Sequence, residues 1–297
     1  MELLRLIESI RSPFLDTVFG YVTQLGEDTV GLVVLCALLW CISKKTAYAI
    51  SIAFFLSGLT VQGMKISFRV ERPWVIDPTF EPVAGAKEFS TGYSFPSGHT
   101  QSATSLYGSL GAQIKRKPIK AVCFLFCFLV AFSRMYLGVH TLADVVVSLL
   151  ISFLLIWITY KVFKGDAADK RRDFVISLVM VVYAAAVIVI ATVLYASGII
   201  AQNYISDCLK VAGACIGFAI GMYIERVYIN FSVKSKNIIW QAIKLILGIA
   251  GVLVFQEGLK LVIGTGLIAD MFRYFLMLIW ATVLYPLIIK RFFAVLP

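Results

Sequence analysis

Charge is scarce in this chain. Of its 297 residues only 15% are Asp, Glu, Lys or Arg, whereas 60% are hydrophobic. A soluble protein of this length needs far more polar residues to cover its surface, and the same figures exclude disorder, collagen and coiled coil. Histidine is scarcer still, with only His99 and His140. The six cysteines (Cys36, Cys41, Cys123, Cys127, Cys208, Cys215) all lie in or at the edge of apolar runs. None has metal-binding spacing in a polar loop, so they read as small buried hydrophobes rather than a disulfide framework. The N-terminus lacks the basic start and small-residue cleavage site of a signal peptide. No soluble basic domain accompanies the net charge of +10, which argues against nucleic acid and for contact with anionic headgroups.

What the chain has is long apolar runs. Segments at 29–43, 47–65, 98–114, 119–136, 142–163, 174–196, 203–224, 238–256 and 267–289 predict an all-α polytopic membrane protein with about nine transmembrane helices. Residues 1–26 differ. Leu3, Leu6, Ile7, Ile10, Phe14, Val18, Phe19 and Val22 recur at helical spacing among Glu2, Arg5, Glu8, Arg11 and Asp16, as in an amphipathic interfacial helix broken at Pro13. Cations fall at alternate ends of the runs: Lys44-Lys45, Lys115-Arg116-Lys117, Lys164 to Arg172, Lys234 with Lys236, and Lys290-Arg291. The positive-inside rule makes those ends cytoplasmic, with Trp40, Trp157 and Trp240 as an aromatic belt, and turns 65–97, 134–141, 197–203 and 257–266 outward.

Three polar clusters fall on that outward side. In the first, Lys65, Arg69 and Arg72 share one face if the helix runs on to Pro73; Arg69 reads as a snorkelling cation, Lys65 and Arg72 as functional. The second, Pro96-Ser97-Gly98-His99, precedes an apolar helix. Ser97 suits its N-cap, Gly98 admits close approach of a ligand, and the free amides of a helix start favour an anion. In the third, Ser133-Arg134 is followed by His140 and Asp144, four apart on one helical face. A carboxylate there fixes the imidazole tautomer and leaves the other nitrogen as a nucleophile. Three cations, a hydroxyl, amides, two imidazoles and one carboxylate suit phosphoryl transfer with no metal and no cofactor, since no group of carboxylates remains to hold magnesium.

In order and spacing these clusters resemble the three-part signature of the type 2 phosphatidic acid phosphatase superfamily: Lys, six residues, Arg-Pro; Pro-Ser-Gly-His; Ser-Arg, five residues, His, three residues, Asp. The resemblance spans residues from roughly 10 to 163. It implies that His140 is the nucleophile of a phosphohistidine intermediate, that Asp144 orients it, and that His99 is the general acid. It assigns Lys65, Arg72, Ser97, Gly98 and Arg134 to the phosphoryl oxygens. The expected activity is metal-independent hydrolysis of a membrane lipid phosphate or diphosphate, of the undecaprenyl diphosphate, phosphatidylglycerol phosphate or phosphatidic acid class, at the extracytoplasmic face of the cell membrane. Phosphotransfer to an acceptor alcohol, or a lipid transporter or scaffold built on the last four spans, are the alternatives. The implied organisation is an interfacial helix at 1–28, a five-span catalytic core at 29–165 and a four-helix extension at 166–297. Within the extension, Gly213, Gly217 and Gly221 form a surface for close helix packing. Asp207–Lys210, Glu257–Lys260 and Asp270–Arg273 read as interfacial ion pairs, or as the lining of a headgroup route.

Overall fold

The computed structural model describes residues 1–88, 90–163, 168–234 and 237–293, and among these the protein is helical with no strand. In chain order the helices are α1 (Glu2–Glu8), α2 (Pro13–Gln24), α3 (Asp28–Ile42), α4 (Lys44–Phe68), α5 (Pro73–Ile76), α6 (98–113), α7 (Lys117–Tyr136), α8 (Leu142–Val162), α9 (Lys170–Ala196), α10 (Gln202–Ile229), α11 (Ile238–Ile263) and α12 (Leu267–Phe293). Of the loop cations, Lys164 and Lys236 lie outside the described residues.

Seven helices, α4 and α7 to α12, are long and apolar enough to cross a membrane. An eighth span results if α2 and α3, bent by 47° across their break, count as one. The expected nine is not reached, because α3 and α6 are too short alone. At about 1.5 Å per residue α6 reaches only about 24 Å, against a hydrocarbon core of about 30 Å. Its first two turns are also polar, and Thr100, Gln101, Ser102, Thr104 and Ser105 are buried. Such a segment is stable only where protein groups receive its polar atoms. Gln101 Nε2 donates to Ser57 Oγ of α4 at 2.7 Å, and Ser57 Oγ lies 2.7 Å from Ser105 Oγ.

The chain divides into two compact units: Met1–Leu32 with Ile52–Phe163, and Val33–Ser51 with Lys164–Pro297. In the first, α8 is amphipathic in the sense opposite to a water-soluble helix. Leu142, Val146, Leu150, Leu154 and Ile158, four apart, are exposed, whereas Asp144, Ser148, Ser152 and Thr159 are buried. An apolar stripe outside and hydroxyls inside is the arrangement hydrocarbon solvent demands. At the N-terminus the break falls where Pro13 predicts it. Ser12 caps α2, its Oγ accepting from Leu15 N, and Pro13 takes the first helical position, where its missing N–H costs nothing. On α1, Leu4 and Ile7 are buried while Leu3 and Leu6 are exposed.

The second unit is organised by the glycine stripe of α10. A Cβ added at Gly213 would stand 2.2 Å from Met271 O, and one at Gly217 would stand 2.4 Å from Phe275 O. The two backbones therefore touch, as close-packed membrane helices require. Buried charges are matched here. Glu225 accepts from Lys44 Nζ at 2.8 Å and Tyr48 Oη at 2.6 Å, and Asp173 accepts from Arg226 Nε at 2.8 Å. The three anticipated ion pairs form, with Lys210 Nζ 3.3 Å from Asp207 and Lys260 Nζ 2.5 Å from Glu257. Arg273, bonded to Asp270 and to Gln256 O, is buried. Trp40 is a correction to the aromatic belt. It is fully buried, donating its indole N–H to Ala281 O at 2.9 Å with its ring edge-on to Tyr285. Gly248 makes room for it, since a Cβ there would lie 2.3 Å from the indole. Trp157 is exposed, as a belt residue should be.

We expect Gly217→Leu to cost about 1–3 kcal/mol by overpacking α10 against α12. Thermal unfolding in detergent checks this, with Ile220→Leu, an exposed position on the same helix, leaving the midpoint unchanged.

Candidate active site

The site begins where α7 ends. Gly138 adopts φ 77°, a left-handed turn that an L side chain resists, and it follows the last helical turn directly. The turn folds the chain back so that the amides of Val139 and His140 both donate to Arg134 O, at 3.1 and 3.3 Å. The five-residue gap between Arg134 and His140 is thus the length of one helix termination, and it places both residues at the same point. Gly138 has no room for a side chain, as a Cβ there would lie 2.6 Å from Arg11 Nη2 and 2.9 Å from the Phe80 ring.

His140 is followed at once by the start of α8. Thr141 is the N-cap, and a reciprocal capping box joins it to Asp144: Thr141 N donates to Asp144 Oδ2 at 2.7 Å, and Asp144 N donates to Thr141 Oγ1 at 3.4 Å. The same Oδ2 accepts from Ser94 Oγ at 2.6 Å and lies 3.4 Å from His140 Nδ1. With Nδ1 turned toward this carboxylate, Nε2 is the nitrogen left with a lone pair. Arg72 Nη1 lies 3.1 Å from it.

Arg72 reaches that position by a route different from the expected one. The helix does not run on to Pro73, so Lys65, Arg69 and Arg72 do not share a face. α4 stops at Phe68, Arg69 takes φ 50°, and Arg72 is extended at ψ 153°. A residue before proline is pushed out of the helical region, and the turn at the exposed Arg69 swings Arg72 inward. Its guanidinium is held by three carbonyls: Nε donates to Gly92 O at 2.9 Å, Nη1 to Val139 O at 2.9 Å and Nη2 to Thr91 O at 2.6 Å. Arg134, also buried, donates to Thr23 Oγ1 at 2.8 Å and Ser90 Oγ at 3.1 Å. Its Nε is buried with no partner among the described residues. A buried orphan donor on a cation marks a place for an anion.

Ser97 caps α6 as its sequence context predicts, its Oγ accepting from Thr100 N. Ser97 N donates to Asp144 O at 3.1 Å, and Ser148 Oγ donates to Ser97 O at 2.8 Å, which ties the start of α6 to the start of α8. A Cβ built on Gly98 meets nothing within 4 Å, so the side of the backbone facing away from the helix is open. The first-turn amides of α6 point to that end. His99 Nε2 donates to Glu27 Oε1 at 3.0 Å. Lys65, half-buried in the last turn of α4, Arg72, Arg134 and His99 all lie close enough to act on the charge of His140. All eight anticipated residues fall in the first unit, with Asp144 and Arg72 at the His140 ring and Lys65, Arg134 and His99 acting on its charge. Burial, reinforced by Arg72, Arg134 and Lys65, holds His140 well below the usual histidine range. Its ring is neutral at pH 7, and its Nε2 lone pair, met by Arg72 Nη1, lies amid cations that attract an oxyanion.

Four contributors escaped the sequence reading: Ser94, Ser90, Thr23 and Glu27. Ser94 and Ser90 lie in a loop whose composition carries no period. The signal for Glu27 was an acidic pair, Glu27-Asp28, interrupting two apolar stretches.

Comparison with known proteins bears on both halves of the chain. The PAP2 superfamily model matches residues 44–168, and a model described as PAP2 superfamily phosphatase, transmembrane extension, matches residues 209–295. Among solved structures, LpxE of Aquifex aeolicus is 31% identical over 54% of this chain and 93% of its own, with a TM-score of 0.49. The first transmembrane PAP2 type phosphatidylglycerolphosphate phosphatase from Bacillus subtilis is 22% identical over 54% of this chain and 82% of its own, with a TM-score of 0.46. No curated protein matches the chain.

With two histidines in the whole chain, an imidazole-labelled sample gives two resonances, separable by His99→Gln. In a nuclear magnetic resonance titration the His140 ring should protonate only below the ordinary histidine range. Arg72→Gln removes a neighbouring positive charge, so protonation should then set in at higher pH.

Proposed function

Because the chain belongs to the PAP2 superfamily of membrane phosphatases, we propose that it removes the terminal phosphate of a membrane lipid monophosphate or diphosphate through a phosphohistidine on His140. The observation that carries this reading is the line Asp144–His140–Arg72, with the unpartnered Nε of Arg134 beside it. In the first step His140 Nε2 attacks phosphorus as the bond to the lipid oxygen breaks, and the departing oxygen takes a proton from His99. Asp144 balances the charge that develops on the imidazole. In the second step water attacks phosphorus and gives up a proton to His99. The P–N bond then breaks, restoring neutral His140 and releasing inorganic phosphate.

Arg72, Arg134 and Lys65, with the amides at Gly98 and His99, receive the non-bridging oxygens in both steps. The donors suit an oxyanion rather than a divalent cation. They are cations and N–H groups, and the one carboxylate beside His140 already accepts from Ser94 and Thr141. The reaction is thus assigned no metal. The loop cations support an extracytoplasmic position for this site, with the cell membrane supplying the substrate.

The expected outcomes are specific. His140→Ala should abolish phosphate release and prevent labelling of the protein by radioactive substrate phosphate. Asp144→Asn should lower kcat by about 10³–10⁴, the scale of losing an orienting carboxylate, while the wild type keeps its rate in chelator. A panel of lipid monophosphates and diphosphates in liposomes, scored by inorganic phosphate, identifies the preferred class. Labelled phosphate on a residue other than His140 would overturn the reading.

A further inference from the structure

The elbow between α2 and α3 grips the first turns of α6 with consecutive residues. Leu25 O accepts from Tyr107 Oη at 3.2 Å, and Asp28 Oδ1 accepts from Ser102 Oγ at 2.5 Å. Between them Gly26 lies against His99 itself: a Cβ on Gly26 would stand 2.7 Å from His99 O. Only a residue without a side chain lets the elbow come so near, and this approach brings the Glu27 carboxylate to 3.0 Å from His99 Nε2. The elbow reaches the opposite side of the pocket too, through Thr23 Oγ1, which accepts from Arg134. Residues 23–28 precede the stretch matched by the superfamily model, which begins at residue 44.

We propose that Glu27 is a positioning residue for His99: it binds the Nε2 hydrogen, leaves Nδ1 as the nitrogen that gives and takes the proton, and favours the protonated ring before the leaving group departs. This rests on the phosphohistidine reading above, with His99 as the acid. The step balances as follows. The proton on Nδ1 passes to the leaving oxygen as its bond to phosphorus breaks, the ring becomes neutral with its Nε2 hydrogen still on Glu27, and water returns a proton to Nδ1 in the hydrolytic step. The charged and titratable groups facing His99 are Glu27 and Asp28 from the elbow, Arg134 from α7 and His140 from the α7–α8 turn. Burial first, and then Arg134, disfavour a protonated ring and hold His99 below the usual histidine range. The carboxylates oppose this, and Glu27 is the one in hydrogen-bond contact.

The test is Glu27→Gln, which keeps the size and a hydrogen-bond acceptor but removes the charge, assayed on two substrates with matched tails. One is an alkyl phosphate, whose leaving oxygen needs a proton; the other is a nitrophenyl phosphate, whose leaving oxygen does not. We expect kcat for the alkyl phosphate to fall about 10- to 100-fold, within the range general acid catalysis contributes, with the nitrophenyl rate within about twofold of wild type. Glu27→Asp, which restores the charge on a shorter arm, should recover part of the alkyl rate. Equal losses on both substrates, no loss on either, or an Asp variant no better than Gln would each overturn the assignment. A wild type that releases phosphate from neither substrate would remove the phosphatase reading and this inference together. An active wild type with a uniformly impaired Glu27→Gln removes the inference alone.

Discussion

The first unit turns on one carboxylate oxygen. Asp144 Oδ2 completes the capping box that starts α8, accepts from Ser94 and faces His140 Nδ1. A charged carboxylate buried this deeply would be costly alone. The N-terminus of a long helix and two short hydrogen bonds make it tolerable, because they supply the oxygens with donors. The helix cap and the contact with the His140 ring therefore share one oxygen. Whatever holds α8 in place also aims the imidazole, and the pocket inherits the rigidity of a helix start rather than that of a free loop.

Around this point cations gather on the open side of the His140 ring, with Glu27 and Asp28 on the His99 side. Arg72 and Arg134 are both buried, Lys65 is near, and Asp144 is committed to the far side of the ring. Carbonyls and hydroxyls hold the two guanidiniums in place. An assembly of fixed cations with an unfilled donor is preorganised for a multiply charged oxyanion, and it needs no rearrangement when charge builds up in the transition state. The same cations help to keep His140 unprotonated. On the proposed reading, the field that would draw the substrate also keeps His140 available as the nucleophile.

The second unit handles buried charge in the opposite way. Glu225 and Asp173 meet cations directly, and Arg273 meets Asp270. Inside a membrane protein an ionised group must find a partner or line a polar cavity, and here each of these carboxylates has its partner within the unit. The three-glycine stripe adds close packing, so this part of the chain resembles a stabilised helical bundle more than a second site. Its paired charges are structural in geometry.

How much of this was legible follows from the range of each interaction. Hydropathy and loop charge depend on local composition, so the all-helical membrane class, the break at Pro13 and the inward-facing glycines could be read from the chain. The motif spacings were legible because each measures a local turn: a helix ending at Gly138, a capping box from Thr141 to Asp144, a cap at Ser97. Where contacts are long-range the reading failed. α6 passes for a span by hydropathy, yet its polar turns are satisfied by α4; Trp40 passes for a belt residue, yet Gly248 and Tyr285 enclose it. Arg72 reaches His140 by a turn at Arg69 rather than along a helix face, and Glu27 reaches His99 across 72 residues of chain. The sequence by itself determined which residues could do the chemistry and in which solvent they fold, because both follow from composition and short spacing. Only the tertiary structure decided which donors stay unpaired and which carboxylate meets which imidazole, because those outcomes depend on helices packing together from distant parts of the chain.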